Sequence, residues 1–160
     1  MSQWTYNLTL VQNCGVELHN LMELLRFIRT YNTKSRPPKE ENSKLRRERK
    51  VNFQLALSFA KSRLKSVLAK LFKVQQTTLS ELTCSKYNRM CLKIFEKPLK
   101  WLELSLRKIM DLQTKTGEKK TLNLQYFSQA ELIISECVTF LNIFLITLNR
   151  YQTLLRFGVK

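Results

Sequence analysis

The sequence has one aspartate, Asp111, and one histidine, His19, among 160 residues. A zinc site built on several histidines, a two-metal carboxylate centre and a Ser-His-Asp relay all lack their parts. Glycine and proline number three each, too few turn formers for an all-β sandwich or a glycine-rich phosphate loop. Acid is scarce as a whole: 12 Asp+Glu stand against 28 Lys+Arg, a net charge of +16. No C-x-x-C pair occurs among Cys14, Cys84, Cys91 and Cys137, and Cys84 to Cys91 is too wide for a zinc knuckle. No serine sits in a nucleophile-elbow pattern. The sequence therefore predicts no enzyme activity, no cofactor, no metal and no small-molecule substrate.

Apolar residues make up 44% of the chain, enough to build a core within a single domain over residues 1–160. The opening Met1-Ser2-Gln3-Trp4 has no basic stretch leading into an apolar one, so no signal peptide is expected. The cysteines then read as buried free thiols of a reducing compartment. A secreted helical cytokine, the competing reading, would pair them as disulfides.

Hydrophobic periodicity predicts helix nearly throughout. Leu18, Leu21, Leu25 and Ile28 place a first helix at about 16–31, with Asn13 as its cap. Residues 33–42 hold Pro37 and Pro38 and no apolar side chain, which predicts a loop. The apolar stripe Phe53, Leu57, Ala60, Leu64, Val67, Leu68 and Leu71 predicts a second helix from Ser43 to about Phe72. Thr78-x-x-Glu81 has capping-box spacing and predicts a third helix at about 79–112, kinked or broken by Pro98 near Glu96-Lys97. Residues 114–121 form the second polar loop, and Ser128-x-x-Glu131 opens a last helix that Gly158 would stop. Cys137 to Asn149 is an uncharged run of 13 residues; a membrane span needs about 20, so none is expected. The predicted architecture is all-α: an elongated four-helix bundle with two polar connecting loops, its third helix kinked at a proline.

The charge is localised. Residues 26–73 hold 15 basic and 3 acidic side chains, and residues 121–160 hold 3 and 2. Arg26 and Arg29 close the first helix, Lys34 and Arg36 sit in the loop, and Lys44, Arg46, Arg47, Arg49 and Lys50 follow, a basic segment centred on about 33–50. A helix–loop–helix corner would make these cations converge, as phosphate neutralisation requires. The planar forks of the arginines suit bidentate phosphate contact. Lys61, Arg63 and Lys65, followed by Lys70 and Lys73, extend the belt along the second helix. The candidate nucleic-acid-binding residues are therefore Arg26, Arg29, Lys34, Arg36, Lys44, Arg46, Arg47, Arg49, Lys50, Lys61, Arg63 and Lys65. Phe27, Tyr31 and Tyr87 are candidates for base stacking, with core packing as the plainer role. Trp101 reads as bundle packing, or else as a protein-contact anchor. His19, with no carboxylate partner to orient it, reads as structural.

Leu24-Leu25-Arg26-Phe27-Ile28-Arg29-Thr30-Tyr31-Asn32-Thr33-Lys34-Ser35-Arg36 resembles the apolar helix, Asn and basic corner of a nucleolar family. That family joins the protein subunit specific to ribonuclease MRP with the nucleolus and neural progenitor protein. Phe95-Glu96-Lys97-Pro98-Leu99-Lys100-Trp101 is similar to its Trp-containing basic segment, and Phe127 to Phe157 to its apolar closing helix. The chain departs from the family plan in its single Trp at that segment, in Pro37-Pro38 and in the polar start of the closing helix. The resemblance implies a non-catalytic, RNA-binding subunit of a nuclear, nucleolar ribonucleoprotein in ribosomal-RNA precursor processing. RNA and other protein subunits would be its partners, and RNA would carry the chemistry. The alternative from another class is a helical protein-interaction module whose basic loop binds an acidic partner or directs nuclear import.

Overall fold

The computed structural model describes four helices: α1 (Gln3–Lys34), α2 (Ser43–Ser80), α3 (Ser85–Glu118) and α4 (Leu124–Arg156). Residues 1–2, 35–42, 81–84, 119–123 and 157–160 lie outside the described residues. So do the side chains of some residues within the helices. Consecutive helices pack antiparallel and α4 closes back on α1, while α2 and α4 touch little, as diagonal members of a bundle do. At 32 to 38 residues, each helix is about 48–57 Å long at 1.5 Å per residue. The all-α bundle predicted from periodicity is the observed fold.

The apolar stripes make the core. Leu18, Leu21 and Leu25 of α1 and Phe53, Leu57, Ala60, Leu64, Val67, Leu68 and Leu71 of α2 are all buried. Two aromatic pairs fix the core at opposite ends: Phe53 against Phe127 with ring centroids 4.3 Å apart, and Phe95 against Phe144 at 4.8 Å. Trp101 packs on Phe140 at 5.1 Å, in the bundle-packing role. Gly15 lets α1 approach α4 closely, since a Cβ there would stand 3.3 Å from Leu141 Cδ2.

Helix ends differ from the sequence reading. α1 begins at Gln3, so Asn13 is an interior residue rather than a cap. Val11 and Cys14 extend its stripe, and the amide of buried Asn7 donates to Thr77 Oγ1 of α2 at 3.1 Å. Thr78 does not open α3 but lies inside α2, its hydroxyl donating to the Val74 carbonyl at 2.7 Å. Glu81 lies outside the described residues. Ser128 is likewise interior to α4, and Glu131 serves an ion pair instead of a cap. Residues 114–118, predicted as loop, are the last turn of α3, and residues 43–50 of the basic segment are the first turns of α2. α3 runs through Pro98 without a break. The prolines of the first loop and Gly158 lie outside the described residues.

Candidate functional site

The antiparallel order brings the C-terminal ends of α1 and α3 and the N-terminal ends of α2 and α4 to the same end of the bundle. Side chains of α2 tie that end together. Lys50 Nζ donates to the Gly117 carbonyl at 3.4 Å, and Gln54 Nε2 donates to the Gln113 carbonyl at 3.2 Å and to Thr116 Oγ1. Gln113 answers by donating to Ser58 Oγ at 2.7 Å. A lysine and an amide thus satisfy carbonyls at the C-terminal end of α3, where a cation is also favoured by the helix dipole.

The belt predicted as one face divides into three sets. Arg29 reaches α4, its Nη1 3.0 Å from Glu131 Oε2, with the two side chains 33% and 16% exposed. Arg63 turns to α1, where with Lys70 it brackets Glu17 at 3.8 and 3.7 Å. Arg26 is exposed and pairs along its own helix with Glu23 at 3.0 Å. These arginines lie against acids of the bundle. The second set, Arg49 and Lys50, is half-buried, and Lys50 reaches α3. The third set faces solvent. Lys44 and Arg47 are exposed and, with Glu48, Val51 and Asn52, line an open depression of about 660 Å3. Lys65 is exposed and Lys61 half-buried on the same helix. Among the described residues no acid stands within ion-pair distance of Lys44, Lys61 or Lys65. Lys34, Arg36 and Arg46 fall outside the described side chains, as do Tyr31 and Tyr87.

Phe27 is not core: it is 66% exposed. His19 is exposed and, contrary to the expectation of no carboxylate partner, stands 3.9 Å from Glu23, one turn on along α1. Lys115, which the sequence reading left out of the site, is exposed near the end of α3 and so stands at the basic end. Its signal was available: in an up-down-up-down bundle the C-terminal end of the third helix lies beside the N-terminal end of the second, so Lys115 had to join the first turns of α2.

Elsewhere, Lys108 Nζ stands 3.9 Å from Glu136 Oε2 across a groove of about 300 Å3 between α3 and α4. Exposed Glu96 is held below the usual carboxylate range by the hydrogen bond and charge of Lys100, at 2.9 Å, and Lys100 is raised in return. Cys14 and Cys137 are free and buried; burial pushes each thiol up to about 11. That makes them weak nucleophiles. Cys84 and Cys91 lie outside the described side chains. Among the described residues, no group of three His, Cys, Asp or Glu side chains is placed to hold a metal ion.

By length and composition, residues Leu124–Arg150 of α4 suffice to cross a membrane, although 33% of the most apolar stretch is buried in the bundle. The uncharged run alone was too short; admitting Glu131, Glu136 or Arg150 at its margins lengthens it. No family model, no curated protein and no solved structure matches the chain.

Proposed function

We propose that the protein is a non-catalytic, RNA-binding helical subunit of a nuclear ribonucleoprotein. The observation that carries this reading is the division of its cations. The few acids near the belt lie against Arg26, Arg29, Arg63 and Lys70, whereas among the described residues Lys44, Lys61 and Lys65 have none. Like charges on one helix oppose folding by a few tenths of a kcal/mol per pair. An external polyanion offsets that cost and gains by releasing its own counterions. The charge argues for a polyanion; the likeness of residues 24–36 to the family of the ribonuclease MRP-specific subunit and the nucleolus and neural progenitor protein argues for RNA. On that reading the protein acts in the nucleolus, in ribosomal-RNA precursor processing, and RNA carries the chemistry.

The exposed Ile143 and Ile146 on the outer side of α4 support a second role for the same molecule, contact with a protein subunit through that uncharged stretch. The test of RNA binding is affinity for labelled RNA over a range of salt. Lys44→Gln/Lys61→Gln/Lys65→Gln is expected to lower the slope of log affinity against log salt by about 2, at about 0.7 per single-strand phosphate contact. An unchanged slope refutes the reading. Salt-sensitive retention of an acidic protein, with no RNA retained after nuclease treatment, would favour the protein-interaction module.

A further inference from the structure

Glu17 of α1 stands between two cations of α2. Its Oε1 lies 3.8 Å from Arg63 Nη1 and 3.7 Å from Lys70 Nζ, both too far for hydrogen bonds. Its Oε2 is buried and has no hydrogen-bond partner. The Arg29–Glu131 pair, by contrast, closes to 3.0 Å. The Glu17 side chain is 28% exposed, whereas Arg63 is 53% and Lys70 36% exposed. The acid is thus held in the bundle while both cations reach outwards past it.

The two cations belong to a longer line. Arg63 and Lys70 are two helical turns apart, so they share a face of α2 at a separation of about 10 Å. Lys73 lies one turn beyond Lys70 and is exposed. Among the described residues no acid stands within ion-pair distance of it. A phosphate backbone laid along this line would meet three cations. To take Arg63 and Lys70 it must draw them off Glu17 and leave a half-buried carboxylate without a counter-charge. One oxygen of that carboxylate already lacks a partner, so it has no second group to turn to. The cost of stranding it keeps both cations at Glu17.

Resting on the RNA-binding reading, we propose that Arg63, Lys70 and Lys73 form a second phosphate-binding line on α2, and that Glu17 masks the first two. Glu17 thereby limits how many phosphates the protein neutralises. Lys44, Lys61 and Lys65 bind in its presence, whereas Arg63 and Lys70 bind only when its charge is removed.

The experiment is a double-mutant cycle. Fluorescence anisotropy of a labelled oligouridylate is measured at several salt concentrations for the intact protein, Glu17→Gln, Arg63→Gln/Lys70→Gln and the variant with all three changes. Far-UV circular dichroism checks that each is folded at the measuring temperature. Glu17→Met, which keeps the length and needs no hydrogen bond, repeats the measurement with a second neutral side chain. The expected result is a steeper slope of log affinity against log salt in Glu17→Gln, by about 1.4 for two contacts at about 0.7 each, with tighter binding at low salt. Arg63→Gln/Lys70→Gln leaves the slope unchanged, and in that background Glu17→Gln adds nothing to it. An unchanged slope in both Glu17 variants overturns the masking, while salt-dependent binding keeps the RNA reading. An equal rise in both backgrounds marks a general effect of net charge and also overturns it. A slope lowered by Arg63→Gln/Lys70→Gln with Glu17 in place shows that these cations already bind, and overturns it too. Absence of salt-dependent binding in all variants and the intact protein overturns both inferences.

Discussion

α2 and α4 lie diagonally across the bundle, are nearly equal in length, and are made of opposite chemistry. α2 carries ten basic side chains and one acid; α4 carries two of each. Each gives one face to the same core, through Phe53, Leu57 and Leu64 on α2 and Phe127, Ile134 and Phe144 on α4. Their inner faces are interchangeable in kind, so the difference resides outside. The stability of the fold comes from the inner faces, and the asymmetry of charge is free to serve something else.

The comparison breaks most sharply in the core. Phe144→Ala removes a fully buried ring paired with Phe95 and is expected to cost about 3–5 kcal/mol, read by chemical denaturation. A smaller loss than that of any α2 lysine variant would deny α4 its central role. Next comes the pair of buried thiols. Burial raises their pKa from the ordinary thiol value of 9.0 to about 11 in the folded state. The folded state thus holds their protons more tightly, and stability is full below pH 9 and declines between 9 and 11. The expected decline is about 1 kcal/mol per thiol by pH 10, and Cys14→Ala/Cys137→Ala should flatten it. Arg29→Gln follows. It leaves Glu131, only 16% exposed, without its partner, with an expected loss of about 1–2 kcal/mol. Smallest is the stability effect of Lys44→Gln/Lys61→Gln/Lys65→Gln, within about 0.5 kcal/mol of the wild type per site.

The all-α class and most of the buried stripe were legible because 3.6-residue periodicity survives in a bundle whose helices each bury one face. Helix ends were not. Thr78, Thr116 and Thr147 donate to carbonyls four residues back, within their own helices. The hydroxyl that reads as a cap in sequence was therefore used inside the helix. The start of α1 was hidden because its first turns bury a polar Asn7, whose amide donates to Thr77, 70 positions away. The basic belt was visible as composition, but its partition was not. Nothing along the chain says that Glu131 would reach Arg29, or that Glu17 would take Arg63 and Lys70. Phe27 shows the same limit: its neighbours Leu25 and Ile28 pack inwards, and only the rotation of α1 puts it on the outside.

The central claim is that paired cations hold the bundle while unpaired ones meet an external polyanion. The direct measurement is the salt slope of RNA binding, with thermal unfolding in parallel, for two matched variants: Lys44→Gln/Lys61→Gln/Lys65→Gln and Arg29→Gln/Arg63→Gln/Lys70→Gln. The account predicts that the first loses about 2 in slope and keeps its melting temperature, while the second melts earlier and keeps most of its slope. Equal loss of slope in the two variants would contradict it.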